Sequence, residues 1–307
     1  MRPLLCLVLT VFLAGTAAAA EPKLLWEAKG LAQPESVVYD PVTDVFYVSN
    51  INGAVMQKDG NGFITRIKPD GTILERVWLK GLNAPTGMAL RDRTLYVADV
   101  DELVEVNAAA GRVAKRHKAK GAIFLNDVAI AEDGTVYVSD TPMNTIWRLN
   151  DGMFEPWLAN DDLNGPNGLL VQGDKLIVAS FGRMPGQGQK QEHAGLLAVN
   201  LEDQTIENLG QGEPVGNLDG LEPLAPGIYL VTDWAAGALY QIDAKGKVDR
   251  LIDLNQGSAD LTFFPPTKTV LIPMMLDNTL AAYRLSEPAP ATSKTNKTSE
   301  TKKKKAR

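Results

Sequence analysis

One strand–turn–strand pattern recurs six times along the chain, at intervals of roughly forty to fifty residues, and it limits the fold more than any other feature. The units begin PESVVYDPVTDVFYVSN (34–50), PTGMALRDRTLYVAD (85–99), LNDVAIAEDGTVYVSD (125–140), PNGLLVQGDKLIVAS (166–180), LDGLEPLAPGIYLVTD (218–233) and ADLTFFPPTKTVLIP (259–273). Each gives an apolar strand, a turn and a second strand rich in Tyr and Val. Third strands are expected at AVMQK (54–58), LVEVN, TIWRLN, LLAVN, ALYQID and LAAYRL, and weaker fourth strands at TILERVWL (72–79), RVAKRHK, MFEPWLA, QTIENLG and KVDRLIDL. Period-2 alternation between turn residues indicates strands rather than helices, and the 27 Gly and 18 Pro supply the turns.

The sixth unit has no fourth strand after LAAYRL, but KLLWEA (23–28), ahead of the first unit, has the character of one. The expected fold is therefore an all-β, six-bladed β-propeller whose ring is closed by an N-terminal strand completing the last blade. Closure removes the long open sheet edge that an open solenoid of the same repeats would leave.

The two ends fall outside this pattern. Arg2, the apolar run Leu4–Ala14 and the small residues Ala17–Ala20 read as a cleaved signal peptide over 1–20, which makes the expected location secreted or periplasmic. The single cysteine, Cys6, lies within it, so a mature chain would hold no disulfide and no thiol nucleophile. Residues 286–307, SEPAPATSKTNKTSETKKKKAR, are polar and Lys-rich without apolar periodicity and read as a disordered basic tail. The chain carries −6 overall; setting aside Arg2 and the tail's +5 leaves about −12 for the propeller, 21–285. So acidic a body argues against nucleic acid as its partner, while the tail suits weak contact with an anionic surface.

In a propeller the first strand of each blade lines the central channel, so the polar residue opening it faces one mouth. In register these are Glu35, Thr86, Asn126, Asn167, Asp219 and Asp260. Carboxylates and carboxamides are oxygen donors suited to one divalent cation, with Ca²⁺ or Mg²⁺ ahead of Mn²⁺ or Zn²⁺ because no His or Cys is among them. The plainer alternative is turn chemistry, since Asn167-Gly168 and Asp219-Gly220 are common turn dipeptides.

PES, LNDV, PNGL and LDGL, at these blades, resemble the SMP-30/gluconolactonase/regucalcin family, grouped with the paraoxonase and strictosidine-synthase-like propellers. The likeness covers about 23–285. It implies that Glu35, Asn167 and Asp219 are metal ligands, and that Asn126 is a substrate contact or fourth ligand. It further implies that Asp219 is the catalytic base, in a metal-dependent hydrolase of lactones or esters. Sugar-lactone members carry an Arg two residues before the third-blade Asn, where this chain has Phe124. Their acid after that blade's second strand is unmatched in Thr141–Asn144. Both departures favour a less polar lactone or ester as the small-molecule partner.

The longest loop on the same face, Phe181 to Ala194, offers Arg183 and His193 as substrate contacts. The other histidine, His117, sits in a basic fourth strand and reads as exposed. The aspartates ending YVAD, YVSD and YLVTD recur too regularly for chemistry and read as turn caps. The alternative function is a non-catalytic, NHL-like propeller that binds a ligand or a protein; the sequence has no Gly-His and Trp-Asp signatures of a WD40 scaffold.

Overall fold

The computed structural model describes residues 22–185 and 189–285; the expected signal peptide and basic tail lie outside them. The strands, in chain order, are β1 (Lys23–Lys29), β2 (Pro34–Asp40), β3 (Val45–Asn50), β4 (Gly62–Ile67) and β5 (Ile73–Leu82). Next come β6 (Pro85–Arg91), β7 (Thr94–Asp99), β8 (Glu102–Asn107), β9 (Arg112–Lys118), β10 (Leu125–Ile130), β11 (Val136–Asp140), β12 (Thr145–Asn150) and β13 (Met153–Ala159). The chain continues through β14 (Pro166–Gln172), β15 (Lys175–Ser180), β16 (Leu196–Asn200), β17 (Ile206–Asn208), β18 (Leu218–Ala225), β19 (Ile228–Asp233), β20 (Ala238–Asp243) and β21 (Val248–Asp253). It ends in β22 (Thr262–Phe264), β23 (Thr269–Met274) and β24 (Thr279–Arg284).

These strands make six antiparallel four-stranded sheets, five of them contiguous and the sixth ordered β1-β24-β23-β22. The protein is a six-bladed β-propeller, and β1 closes the ring as the outer strand of the last blade. Lys23 pairs with Arg284 and Lys29 with Thr279. Trp26 locks the closure by packing into the cluster shared by blades six and one and donating its indole N–H to the Pro69 carbonyl at 3.0 Å.

The first blade departs from the sequence reading. Residues 54–58, AVMQK, are not its third strand; Ala54 and Gln57 close a turn, and the third strand is GFITRI. The insertion lengthens the β3–β4 connection over the upper face. His117 also departs: it is buried, because its Nε2 meets Glu105 on the neighbouring strand β8 at 2.6 Å while its ring faces Phe154 of the next blade.

Each of the first five inner strands carries an irregularity at the same place. Pro34 pairs with Asn50 and Val37 with Val48, so Glu35 and Ser36 together oppose Ser49 alone. The same step falls after Pro85, Leu125, Pro166 and Leu218. Such a bulge frees a residue from the ladder and re-aims its side chain, here toward the axis. The N–H left without a ladder partner goes to a hydroxyl on the second strand in three blades: Ser36 to Ser49, Asp127 to Ser139 and Gly220 to Thr232. That accounts for Ser or Thr next to last in YVSN, YVSD and LVTD.

Candidate functional site

The bulges bring Glu35, Thr86, Asn126, Asn167 and Asp219 to equivalent positions around the channel. Asp260 is not with them. Ser258 bridges Met274 as Pro34 pairs with Asn50, so Ala259 is the counterpart of Glu35, and Asp260 lies one residue deeper. There it matches Asp127, and both staple inner strands. Asp127 accepts the N–H groups of Val128 and Leu169 at 2.7 Å each. Asp260 accepts from the Leu261 N–H at 2.7 Å and the Ser36 hydroxyl at 2.6 Å.

The glycines beside Asn167 and Asp219 have no turn role. They lie within inner strands, and a Cβ on Gly168 would stand 2.2 Å from the Asp219 carbonyl oxygen, while one on Gly220 would stand 2.6 Å from the Leu261 nitrogen. Only glycine lets neighbouring strands approach this closely near the axis.

Glu35, Asn126, Asn167 and Asp219 are between 3% and 6% exposed. Burial at this level normally comes with full hydrogen bonding. Here Glu35 Oε2, Asn126 Oδ1 and Asp219 Oδ1 have no partner. The Asn167 side chain lies beside Asp219 and favours its carboxylate form. Asn126 is oriented by Thr141, whose Oγ1 accepts its Nδ2 at 3.1 Å and donates to the Pro166 carbonyl at 2.8 Å. With its amide nitrogen held outward, Asn126 turns its bare oxygen to the ring. The sequence does not single out Thr141, because its role lies in one contact and not in the repeat.

The electrostatics agree with unpaired anions. Burial first, then the neighbouring charges of Asp219, Asp260 and Asp127, pushes Glu35 well above the usual carboxylate range. Burial and then Asp260 do the same to Asp219, against the opposing influence of the Asn167 amide. Burial lifts Asp260 to about 6. A cavity of about 270 Å³ continues down the channel past Asp127, Asp260 and Glu222. Burial, with the Asp260 charge second, pushes Glu222 up to about 8.

Among the described residues no three His, Cys, Asp or Glu side chains are gathered closely enough to hold a metal by themselves. The ring's donor set differs in kind, mixing two carboxylates with two carboxamides. Three bare oxygens from three blades, with no cationic side chain ion-paired to any of them among the described residues, fit a hard cation.

The loop candidates lie elsewhere. Arg183 is exposed and directed to Asp161 at 3.4 Å. His193 is exposed on a separate cavity bounded by Asp162, Ser180 and Glu213. The loop's two ends are drawn together by Asn217, which donates to the carbonyls of Phe181 and Glu192 at 2.6 and 2.9 Å. Asp99 and Asp140 hold the segments entering their blades through the N–H groups of Asn83 and Ala84, and of Ile123 and Phe124; Asp233 caps its own turn. Phe124 itself is buried.

No family model matches the chain, and no curated protein matches it in sequence. Solved structures do match. A calcium-binding regucalcin from Agrobacterium tumefaciens superposes with a TM-score of 0.64 at 15% identity, over 87% of this chain and 94% of its own. A gluconolactonase from Xanthomonas campestris gives 0.56 at 15% identity, over 87% and 98%. A catalytically inactive histidine-to-alanine variant of virginiamycin B lyase from Staphylococcus aureus gives 0.56 at 14%, over 86% and 100%. The structural neighbours thus include gluconolactonase and regucalcin propellers, as the sequence motifs suggest. At these identities the likeness establishes the fold.

Proposed function

We propose that the chain is a hydrolase of lactones or esters that depends on one divalent cation, Ca²⁺ first among the candidates. The observation that carries this reading is the trio of buried, unpartnered oxygens on Glu35, Asn126 and Asp219. A propeller serving only as a scaffold has no use for unpaired carboxylates on its axis, where each costs about 1–3 kcal/mol. Gluconolactonase and calcium-binding regucalcin among the structural neighbours support the same chemistry. The lyase neighbour supports a different one less well, because its inactive form lacks a histidine, and here His117 lies in the outer strand β9 and His193 in a loop.

Glu35, Asn126, Asn167 and Asp219 would hold the cation, with Thr141 fixing which atom Asn126 presents. When bound, the cation supplies polarisation of the carbonyl oxygen. Asp219 would accept the proton of the water that attacks the carbonyl carbon. The acyl C–O bond then breaks, and its oxygen takes that proton back to leave a hydroxy acid or alcohol. Asn167, beside Asp219, favours the carboxylate form of that side chain.

The test is a panel of lactones and aryl esters assayed with Ca²⁺, Mg²⁺, Mn²⁺ and Zn²⁺ and with chelator. Hydrolysis is expected only with a cation, and Asp219→Ala is expected to abolish it in a folded protein. Turnover indifferent to both chelator and that substitution overturns the proposal.

A further inference from the structure

The residue following each second strand forms a collar immediately outside the ring. Its N–H bonds the carbonyl two residues before the ring position in five blades: Ile51 to Gln33, Thr141 to Phe124, Phe181 to Gly165, Trp234 to Asn217 and Met275 to Gly257, at 2.7–3.3 Å. The second blade supplies Val100 at the matching place. Such post-strand positions are ordinarily polar turn residues. Here five of six are apolar, and none is charged. Ile51, Val100 and Met275 pack together with Ala259, and Trp234 and Val55 lie against them. Phe181 joins through Trp234, with ring centroids 6.4 Å apart.

The mouth therefore has two unlike sides. Thr141 and Asn126 form the polar side in the third blade. The apolar arc runs from Phe181 in the fourth blade through the fifth, sixth and first to Val100 in the second. Ile51, Val100 and Met275 are buried and support the arc from beneath, while Phe181, Trp234 and Val55 keep part of their surface open and form its accessible part. Partly exposed aromatic surface beside a ring of polar side chains is a feature of ligand-binding faces.

We infer that this collar binds the non-reacting part of the substrate and selects lactones or esters bearing an alkyl or aromatic substituent over polyhydroxylated ones. The word substrate rests on the proposed hydrolase; the ligand chemistry rests on the collar alone. A hydroxyl against the arc would surrender its water partners and find, among the arc's side chains, only the Trp234 indole N–H in return. Each methylene seated there adds about fourfold to binding.

The experiment compares γ-butyrolactone, γ-nonalactone and δ-gluconolactone in the cation-loaded protein, for the wild type and for Trp234→Ala and Phe181→Ala. The pentyl chain is expected to raise kcat/KM by about ten- to a hundredfold over the unsubstituted ring. Trp234→Ala should lower kcat/KM for γ-nonalactone about tenfold further than it lowers that for γ-butyrolactone. Equal or faster turnover of δ-gluconolactone overturns the inference, as does an equal fall for all three substrates, which would make the collar a core filling only. If no lactone is hydrolysed, the hydrolase proposal fails by itself, and binding decides the collar. A saturable change in Trp234 fluorescence with γ-nonalactone but not δ-gluconolactone, with Trp234→Phe as blank, supports it; no change, or the same change with both, overturns it.

Discussion

Replacing Asp219 by Asn should make the cation-free protein more stable while destroying its response to cations. In the free ring Asp219 and Glu35 are both buried, each has a bare oxygen, and each is repelled by Asp260. Asparagine keeps the shape and removes one charge. Relief of one uncompensated buried carboxylate is worth about 1–3 kcal/mol. For a domain of this size each kcal/mol moves the melting midpoint by roughly 2–4 °C, so a rise of about 2–12 °C is expected in chelator. The wild type should gain about 2.7 kcal/mol at a cation concentration one hundred times its Kd, and the variant nothing, so the order of the two melting points closes or inverts. The pH dependence has a definite sign. Asp219 titrates higher folded than unfolded, so its favourable contribution is complete below the unfolded pKa and is lost as pH rises through the folded one. Without cation, wild-type stability should fall between acid and neutral pH more steeply than that of the variant. Calorimetry in chelator and in each cation reads both effects. A variant that melts below the wild type in chelator, or that gains as much from cations, refutes the reasoning.

Two further outcomes follow from contacts near the ring. Thr141→Val removes the oxygen that anchors the Asn126 amide and should weaken cation affinity, measured by calorimetric titration, about tenfold; Thr141→Ser should restore it, which a purely packing role for the threonine would not allow. Glu222, raised to about 8 and bonded to the Thr262 hydroxyl at 3.0 Å, loses its favourable contribution as pH rises from the unfolded value through 8. Its partial contact with channel water screens the cost, so Glu222→Gln should stabilise by about 1–2 kcal/mol at pH 8.5 and by nothing at pH 4, read from denaturant melts at the two pH values.

The sequence shows the propeller clearly because closure and blade count depend on a repeat, and a repeat survives weak individual strands. β1 is legible as the missing outer strand even though it lies at least about 250 residues from its partner β24. What failed was set by local backbone detail. AVMQK in the first blade has strand-like composition, but Gly53 and the Asp59–Gly60–Asn61 turn isolate it, and GFITRI has the alternation that pairs with β3. Asp260 was placed one residue too shallow because the sixth inner strand has no polar residue at the ring position, and an alignment seeking one slides to the nearest. His117 was misjudged from its basic neighbours, although alternate residues of β9 face opposite ways and its own face is covered.

The collar and the orientation of Asn126 were not legible at all, for a common reason. Both are set by residues just beyond a strand end, where the two-residue period stops predicting which way a side chain points. Yet the strongest argument for function comes from comparing the ring with the rest of the molecule. Eight buried polar atoms lack partners among the described residues. Five of them, on Arg66, Asp101, Trp147, Arg148 and Thr279, are scattered over four blades, as isolated packing compromises would be. The other three, on Glu35, Asn126 and Asp219, occupy equivalent positions of one ring and are all oxygens. Packing faults have no reason to share a register or a chemistry. Departures from local satisfaction that coincide in space and in type are the mark of a site whose missing partner is a ligand.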